Sequence, residues 1–159
     1  MKIVAFVPIK FYSSRLKNKN FLKLGDKLLC NYIFDTLSKI KLIDNIYVFC
    51  SNKDIINYIP KNIIFIQRDQ KLDQDQTIGM DIYQEFIKEI NSDIYILAHT
   101  TSPFISQNSI EQGINALVKS NFDSAFSVKE EKTFTWYQNK PLNYNLDYIP
   151  RTQNLDSIF

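Results

Sequence analysis

The stretch VPIKFYSSRLKNKNF, Val7 to Phe21, begins inside an apolar run and continues as a strongly basic loop. The apolar run from Ile3 to Ile9 is almost continuous, which predicts a central parallel strand that is buried on both faces. The loop that follows has four cations and no acid: Lys10, Arg15, Lys17 and Lys19. A buried strand that leads into such a loop can present positive charge to a polyanion at the carboxyl edge of a sheet.

Strands and helices alternate along the rest of the chain. Short apolar runs predict strands at 46–50, 63–66, 94–98, 125–128 and 134–138, whereas helical spacing predicts helices at 28–40, 80–90 and 109–119. Ser51 and Asn52 are candidate caps of a short helix at 53–58. The alternation predicts an α/β protein with a three-layer, mostly parallel sheet and helices on both faces. We expect one domain over residues 1–159.

The composition argues against several classes of protein. The net charge is only +2, so we expect no binding to nucleic acid through bulk electrostatics. The apolar run near the N-terminus is too short for a signal peptide or a membrane span, which predicts a cytoplasmic protein without a membrane partner. Cys30 and Cys50 lie in apolar runs and are expected to be buried thiols.

Polar clusters follow four of the predicted strands, at 10–20, 51–52, 68–76 and 99–102. Parallel sheets bind ligands beyond the carboxyl ends of their strands, so these clusters together predict a site. The basic loop contains no glycine and therefore matches neither a Walker A loop nor a G-x-G-x-x-G fingerprint. Side chains such as Lys10, Arg15 and Lys19 would hold a nucleotide triphosphate instead. On these residues alone, a solvated surface loop remains an alternative.

Four blocks of the chain resemble, in order, the motifs of the acylneuraminate cytidylyltransferases, the CMP-sialic acid synthetases. The first block joins Pro8-Ile9-Lys10, Ser13-Ser14-Arg15-Leu16 and Lys19-Asn20. The others are LAHTTSPF at 97–104, DSAFSV at 123–128 and PRTQNL at 150–155. The resemblance spans the chain and implies a Rossmann-like nucleotidyltransferase fold.

The resemblance also implies a reaction, in which a hydroxyl of a sialic-acid-like sugar acid attacks CTP to give a CMP-sugar and pyrophosphate. Mg²⁺ is the expected cofactor, CTP and the sugar acid are the partners, and the full-length protein is expected to be a homodimer. Lys10 and Lys19 take the catalytic positions, whereas the sugar would contact His99, Thr101 and Ser102. The positions that correspond to nucleotide-binding residues are Pro8, Lys10, Ser13, Ser14, Arg15, Lys19, Asn20 and Arg68.

The chain also departs from the family pattern. Lys10 replaces an Arg, Tyr12 a Gly, Ser14 a Lys and His99 a Gln, so His99 would alter sugar choice or accept a proton. The Asp-x-Asp that binds Mg²⁺ and the dimerisation segment of the family lie beyond the last matched block. We therefore expect this chain to lack both segments, to have weak catalysis or none, and to use Asp73 and Asp75 as caps or solvated carboxylates.

Two alternatives stay open. The chain could act on another sugar acid or nucleotide, or it could be a non-catalytic module that binds a nucleotide.

Overall fold

The computed structural model describes every residue except Ser14. The chain forms two compact units, Met1–Gln112 and Gly113–Phe159, and the expected single domain stays a prediction. The elements in chain order are β1 (Ile3–Pro8), β2 (Lys23–Leu24), β3 (Lys27–Leu28), α1 (Leu29–Leu37), β4 (Asn45–Cys50), β5 (Ile64–Gln67), α2 (Gly79–Glu89), β6 (Ile94–Leu97), α3 (Gln107–Lys119), β7 (Trp136–Tyr137) and β8 (Lys140–Pro141).

The first unit is built on a four-stranded sheet in the order β5-β4-β1-β6, and all of its neighbouring strands are parallel. The apolar run at the start of the chain becomes the inner strand β1, which pairs with β4 on one side and with β6 on the other. Phe6 marks the register, since it lies opposite Tyr47 and Leu97. Every strand therefore ends at the same edge of the sheet.

Both faces of β1 are buried, as its lack of polar residues predicts. On one face, Val4 and Phe6 pack with Tyr47, Phe49 and the α2 residue Phe86. Phe86 stacks on Phe6 with 4.3 Å between ring centroids. On the other face Ile3, Ala5 and Val7 are equally inaccessible. The predicted α/β fold with a mostly parallel sheet and covering helices is confirmed.

Other local predictions have mixed outcomes. The short helix at 53–58 is a 3₁₀ helix, and the Asn52 side chain caps it by accepting a hydrogen bond from the Asp54 backbone N–H. Cys30 and Cys50 are buried free thiols, and burial raises the pKa of Cys30 to about 11. Among the described residues, no helix combines the length and the apolarity that crossing a bilayer requires.

The predicted strand at 125–128 is wrong. These residues form no ladder, and Phe126 is 85% exposed. A strand needs a hydrogen-bonded neighbour, and the segment Ala-Phe-Ser-Val has none in the described structure, where all four residues are exposed. The strand predicted at 134–138 is reduced to β7, which pairs with β8 across a turn at Gln138 and Asn139. Both turn residues have positive φ, as a tight hairpin requires.

Candidate functional site

A cleft of about 300 Å³ opens at the carboxyl edge of the sheet. Three strand ends contribute to its wall: β1 supplies Pro8 and Lys10, β5 leads to Arg68, and β6 leads to His99. The rest of the wall comes from the segment after β5 and the first turns of α2: Leu72, Gln74, Asp75, Thr77, Gly79, Ile82 and Tyr83. Residues from three of the four predicted polar clusters therefore meet in the cleft, whereas Ser51 and Asn52 do not line it.

Arg68 is a buried cation at the base of this cleft. Its side chain is only 1% exposed. One terminal nitrogen donates to the Phe49 carbonyl oxygen at 3.2 Å, and the other donates to Oδ1 of Asp73. The second carboxylate oxygen of Asp73 accepts from the Ser51 hydroxyl. A buried charge is tolerated only when it is paired and hydrogen-bonded, and Asp73 meets that requirement.

Lys10 and Asp75 face each other at the rim of the cleft. The Lys10 Nζ lies 3.5 Å from Oδ1 of Asp75, whose side chain is 92% exposed. Exposed pairs of this kind contribute at most about 1 kcal/mol to stability. The pair therefore leaves Lys10 available to an incoming anion, which would compete with Asp75 for the ammonium group.

The basic loop is tied back to the sheet by Asn20. This side chain is 5% exposed. Its Nδ2 donates to the Lys10 carbonyl oxygen at 3.1 Å, and its Oδ1 accepts from the Thr100 hydroxyl at 2.7 Å. Asn20 thus joins the end of β1 to the segment after β6. These two bonds hold the loop in place, and the nucleotide-binding role that the resemblance implies for Asn20 stays a prediction.

Aromatic side chains pack against one another in and beside the same loop. The rings of Phe11 and Phe21 lie 4.8 Å apart, and Phe21 lies 4.4 Å from Tyr58 of the 53–58 helix. Aromatic pairs in such tilted arrangements add about 0.5–1.5 kcal/mol each beyond burial. Because the cationic loop packs on these aromatic side chains, its positive charges can be positioned before a ligand binds.

His99 and Tyr83 also line the cleft, with 6.5 Å between their ring centroids. Partial desolvation lowers the pKa of His99 below its ordinary value, which favours the neutral form of the imidazole. Gly79 makes room for Tyr83, because a Cβ at that position would lie 2.8 Å from the tyrosine oxygen. The glycine therefore sets how closely the Tyr83 ring approaches the start of α2.

Several predicted site residues lie away from the cleft wall. Lys19 begins a 3₁₀ helix at 19–21, whereas Thr101 and Ser102 are exposed in the turn after β6. Ser13 and Arg15 belong to the basic loop without lining the cleft, and Ser14 falls outside the described residues. The roles of these residues stay predictions.

Sequence reasoning missed the partners that hold the site together. Thr100, rather than its neighbour Thr101, makes the buried bond to Asn20. Asp73, rather than Asp69 or Asp75, pairs with Arg68. Asp69 is the helix cap instead, since it accepts from the Lys71 backbone N–H. A polar run with three aspartates does not show which one turns toward the sheet, because that choice depends on the path of the chain.

The described residues do not fit a metal site made by the protein alone. They contain no cluster of three or more His, Cys, Asp or Glu side chains. Asp75 is the one carboxylate that lines the cleft in this part of the chain, and it faces Lys10. Mg²⁺ is commonly bound through one or two carboxylates together with substrate phosphates and water. Dependence on Mg²⁺ therefore stays a prediction.

A sequence profile of the cytidylyltransferases matches residues 4–153, which is almost the entire chain. The chain belongs to the cytidylyltransferase family. The match includes β1, the basic loop and every strand end that contributes to the cleft. This match confirms that the resemblance to cytidylyltransferases is correct. Membership of the sialic-acid branch of the family stays a prediction.

Individual relatives are similar over about half of their own length. The chain is 29% identical to an uncharacterised protein of Methanocaldococcus jannaschii, over 77% of this chain and 50% of that protein. It is 24% identical to 3-deoxy-manno-octulosonate cytidylyltransferase 2 of Hydrogenovibrio crunogenus, over 80% of this chain and 52% of that enzyme. The chain thus spans about half the length of these two curated relatives.

A solved structure shows the same fold. The CMP:2-keto-3-deoxy-manno-octonic acid synthetase complexed with CTP superposes with a TM-score of 0.64 at 18% identity. The superposition covers 76% of this cytidylyltransferase chain and 49% of that enzyme. At this level of identity the likeness establishes the fold and not the ligand.

Proposed function

We propose that this chain carries the CTP-binding cleft of a cytidylyltransferase that activates a 2-keto-3-deoxy sugar acid. The observation that carries the proposal is the cleft itself, in which Lys10, Arg68 and His99 meet at the carboxyl edge of a sheet. That edge lies within the part of the chain that matches the cytidylyltransferase family. Parallel α/β sheets bind nucleotides at this position.

In the proposed reaction, a sugar hydroxyl oxygen attacks the α-phosphorus of CTP. A new oxygen–phosphorus bond forms while the bond from the α-phosphorus to the bridging oxygen breaks, and pyrophosphate leaves with that electron pair. Negative charge grows on the leaving group, and a fixed cation such as Lys10 stabilises it. The hydroxyl proton needs an acceptor, and the neutral imidazole of His99 lines the same cleft.

Two sugar acids are the leading substrates. Relatives named 3-deoxy-manno-octulosonate cytidylyltransferases favour 3-deoxy-manno-octulosonate. The four motif blocks, from Pro8-Ile9-Lys10 to residues 150–155, favour a sialic-acid-like substrate. Both sugars are 2-keto-3-deoxy acids, so the proposed chemistry is shared. His99 would face the sugar in either case and is a candidate for discriminating between them.

The test is incubation of the purified protein with CTP, UTP, GTP or ATP and each of the two sugar acids. We expect CTP to bind in preference to the other three nucleotides, with at most weak release of pyrophosphate and formation of a CMP-sugar with one of the two sugar acids. Binding of CTP without turnover would instead favour a nucleotide-binding module. Equal use of all four nucleotides would contradict the proposal. Addition of EDTA tests the proposed need for Mg²⁺, and sedimentation tests the proposed homodimer.

A further inference from the structure

The buried pair of Arg68 and Asp73 lies at the cleft but belongs to none of the motif blocks. We propose that Asp73 is a positioning residue, which fixes the guanidinium of Arg68 in the orientation that a ligand in the cleft meets. This inference rests on the proposed function, in that the ligand is taken to be a nucleotide. Asp73 itself does not line the cleft, so it would act through Arg68.

One buried nitrogen of the Arg68 guanidinium has no hydrogen-bond partner. The two terminal nitrogens bond to the Phe49 carbonyl oxygen and to Asp73, but the buried Nε has no partner. A buried donor without an acceptor costs about 1–3 kcal/mol, and such groups are uncommon in folded proteins. Because Arg68 lines the cleft, an oxygen acceptor of a bound nucleotide is a suitable partner for this edge of the guanidinium.

Asp73 is itself held at both oxygens. Oδ1 accepts from Arg68, and Oδ2 accepts from the hydroxyl of Ser51, which follows β4. The Asp73 side chain is 21% exposed, so water screens this pair only in part. A second constraint acts on the backbone, since the Arg68 N–H donates to the Cys50 carbonyl oxygen at 3.0 Å. The carboxylate therefore joins the ends of two neighbouring strands and leaves Arg68 little freedom to rotate.

A buried ion pair can also be purely structural, and a spectroscopic signal separates the two roles. The chain has three arginines, Arg15, Arg68 and Arg151, so the Nε–H signal of Arg68 can be assigned by its loss in Arg68→Lys. In the intact protein we expect a sharp, slowly exchanging Arg68 Nε–H signal that shifts when CTP is added. In Asp73→Ala we expect this signal to broaden and to lose its response to CTP.

CTP affinity measured in a double-mutant cycle gives the second readout. Asp73→Ala should weaken CTP binding by about tenfold, the low end of the range for a hydrogen bond to a charged group. In the Arg68→Lys background the same substitution should change affinity by less than about twofold, because Asp73 would have nothing left to position. Asp73→Asn keeps the shape of the side chain and an oxygen that can accept from Ser51. It replaces Asp73→Ala in these measurements if that variant does not fold. Asp54→Ala is the control, since this carboxylate is exposed in the 3₁₀ helix at 53–58 and does not line the cleft.

The outcomes separate this inference from the proposed function. Independent, additive losses from Asp73→Ala and Arg68→Lys would overturn the positioning role. An Arg68 Nε–H signal that is the same in the intact protein and in both Asp73 variants would overturn it as well. If the intact protein does not bind CTP, the proposed function fails. The positioning role is then judged by whether the Arg68 signal is fixed in the intact protein and released in the Asp73 variants.

Discussion

Replacement of Asn20 by alanine tests whether the basic loop is held in place from within the protein. The substitution removes the bond to the Lys10 carbonyl oxygen and the bond from the Thr100 hydroxyl. Thr100 is buried, so its hydroxyl would lose its partner in a place that water does not reach easily. Each polar group left unsatisfied costs about 1–3 kcal/mol. We expect a loss of about 2–4 kcal/mol in the free energy of unfolding.

Urea unfolding followed by circular dichroism measures this loss. Thr100→Val removes the hydroxyl but keeps the shape, so the double variant with Asn20→Ala should be more stable than the sum of the two single losses predicts. Asn62→Ala is the control, because this exposed asparagine donates only to the Ser38 hydroxyl. Its replacement should change stability by less than about 0.5 kcal/mol.

Asn20→Ala should also weaken CTP binding, because Asn20 connects the backbone of Lys10 to the segment after β6. A loss in stability for Asn20→Ala no larger than that of Asn62→Ala would refute the reasoning. Strict additivity with Thr100→Val would refute it too, since the two side chains would then not depend on each other.

Three further predictions concern the cleft and the core beneath it. Asp75→Asn should raise affinity for CTP by about twofold to fivefold at low salt, because the carboxylate that lies 3.5 Å from Lys10 no longer competes with phosphate. Titration calorimetry at two salt concentrations measures this gain. The pKa of His99 is lowered in the folded protein, so the imidazole binds a proton more readily in the unfolded chain. The free energy of unfolding should therefore fall as the pH drops below about 6.5. Unfolding curves of the intact protein and His99→Gln should differ in that slope. Phe86→Ala should cost about 3–5 kcal/mol in urea unfolding, since the ring stacks on Phe6 in a fully buried cluster.

The sheet could be predicted from the sequence because its strands are short, apolar and regularly separated by helical patterns. The run at 3–9 has no polar face, and only a strand covered on both sides accommodates such a run. The shared carboxyl edge then follows from parallel pairing, without knowledge of any side-chain contact. The position of the cleft was therefore accessible from the pattern of polar residues after each strand.

The internal contacts of the site could not be predicted in the same way. Arg68 and Asp73 meet because a 3₁₀ helix at 70–73 turns the chain back toward the sheet, and no periodicity in the sequence marks that turn. The strand predicted at 125–128 failed for a related reason. The segment Ala-Phe-Ser-Val is compatible with a strand, but whether it forms one depends on a partner that lies elsewhere in the chain.

The most direct test of the central claim is a titration of the ¹⁵N-labelled protein with CTP, followed by amide chemical shifts. The account predicts saturable binding, with shifts concentrated at Lys10, Arg68, Gly79 and His99, and weaker binding of ATP under the same conditions. Absence of saturable binding, or shifts confined to residues 113–159, would contradict the claim that the carboxyl edge of this sheet is a CTP site.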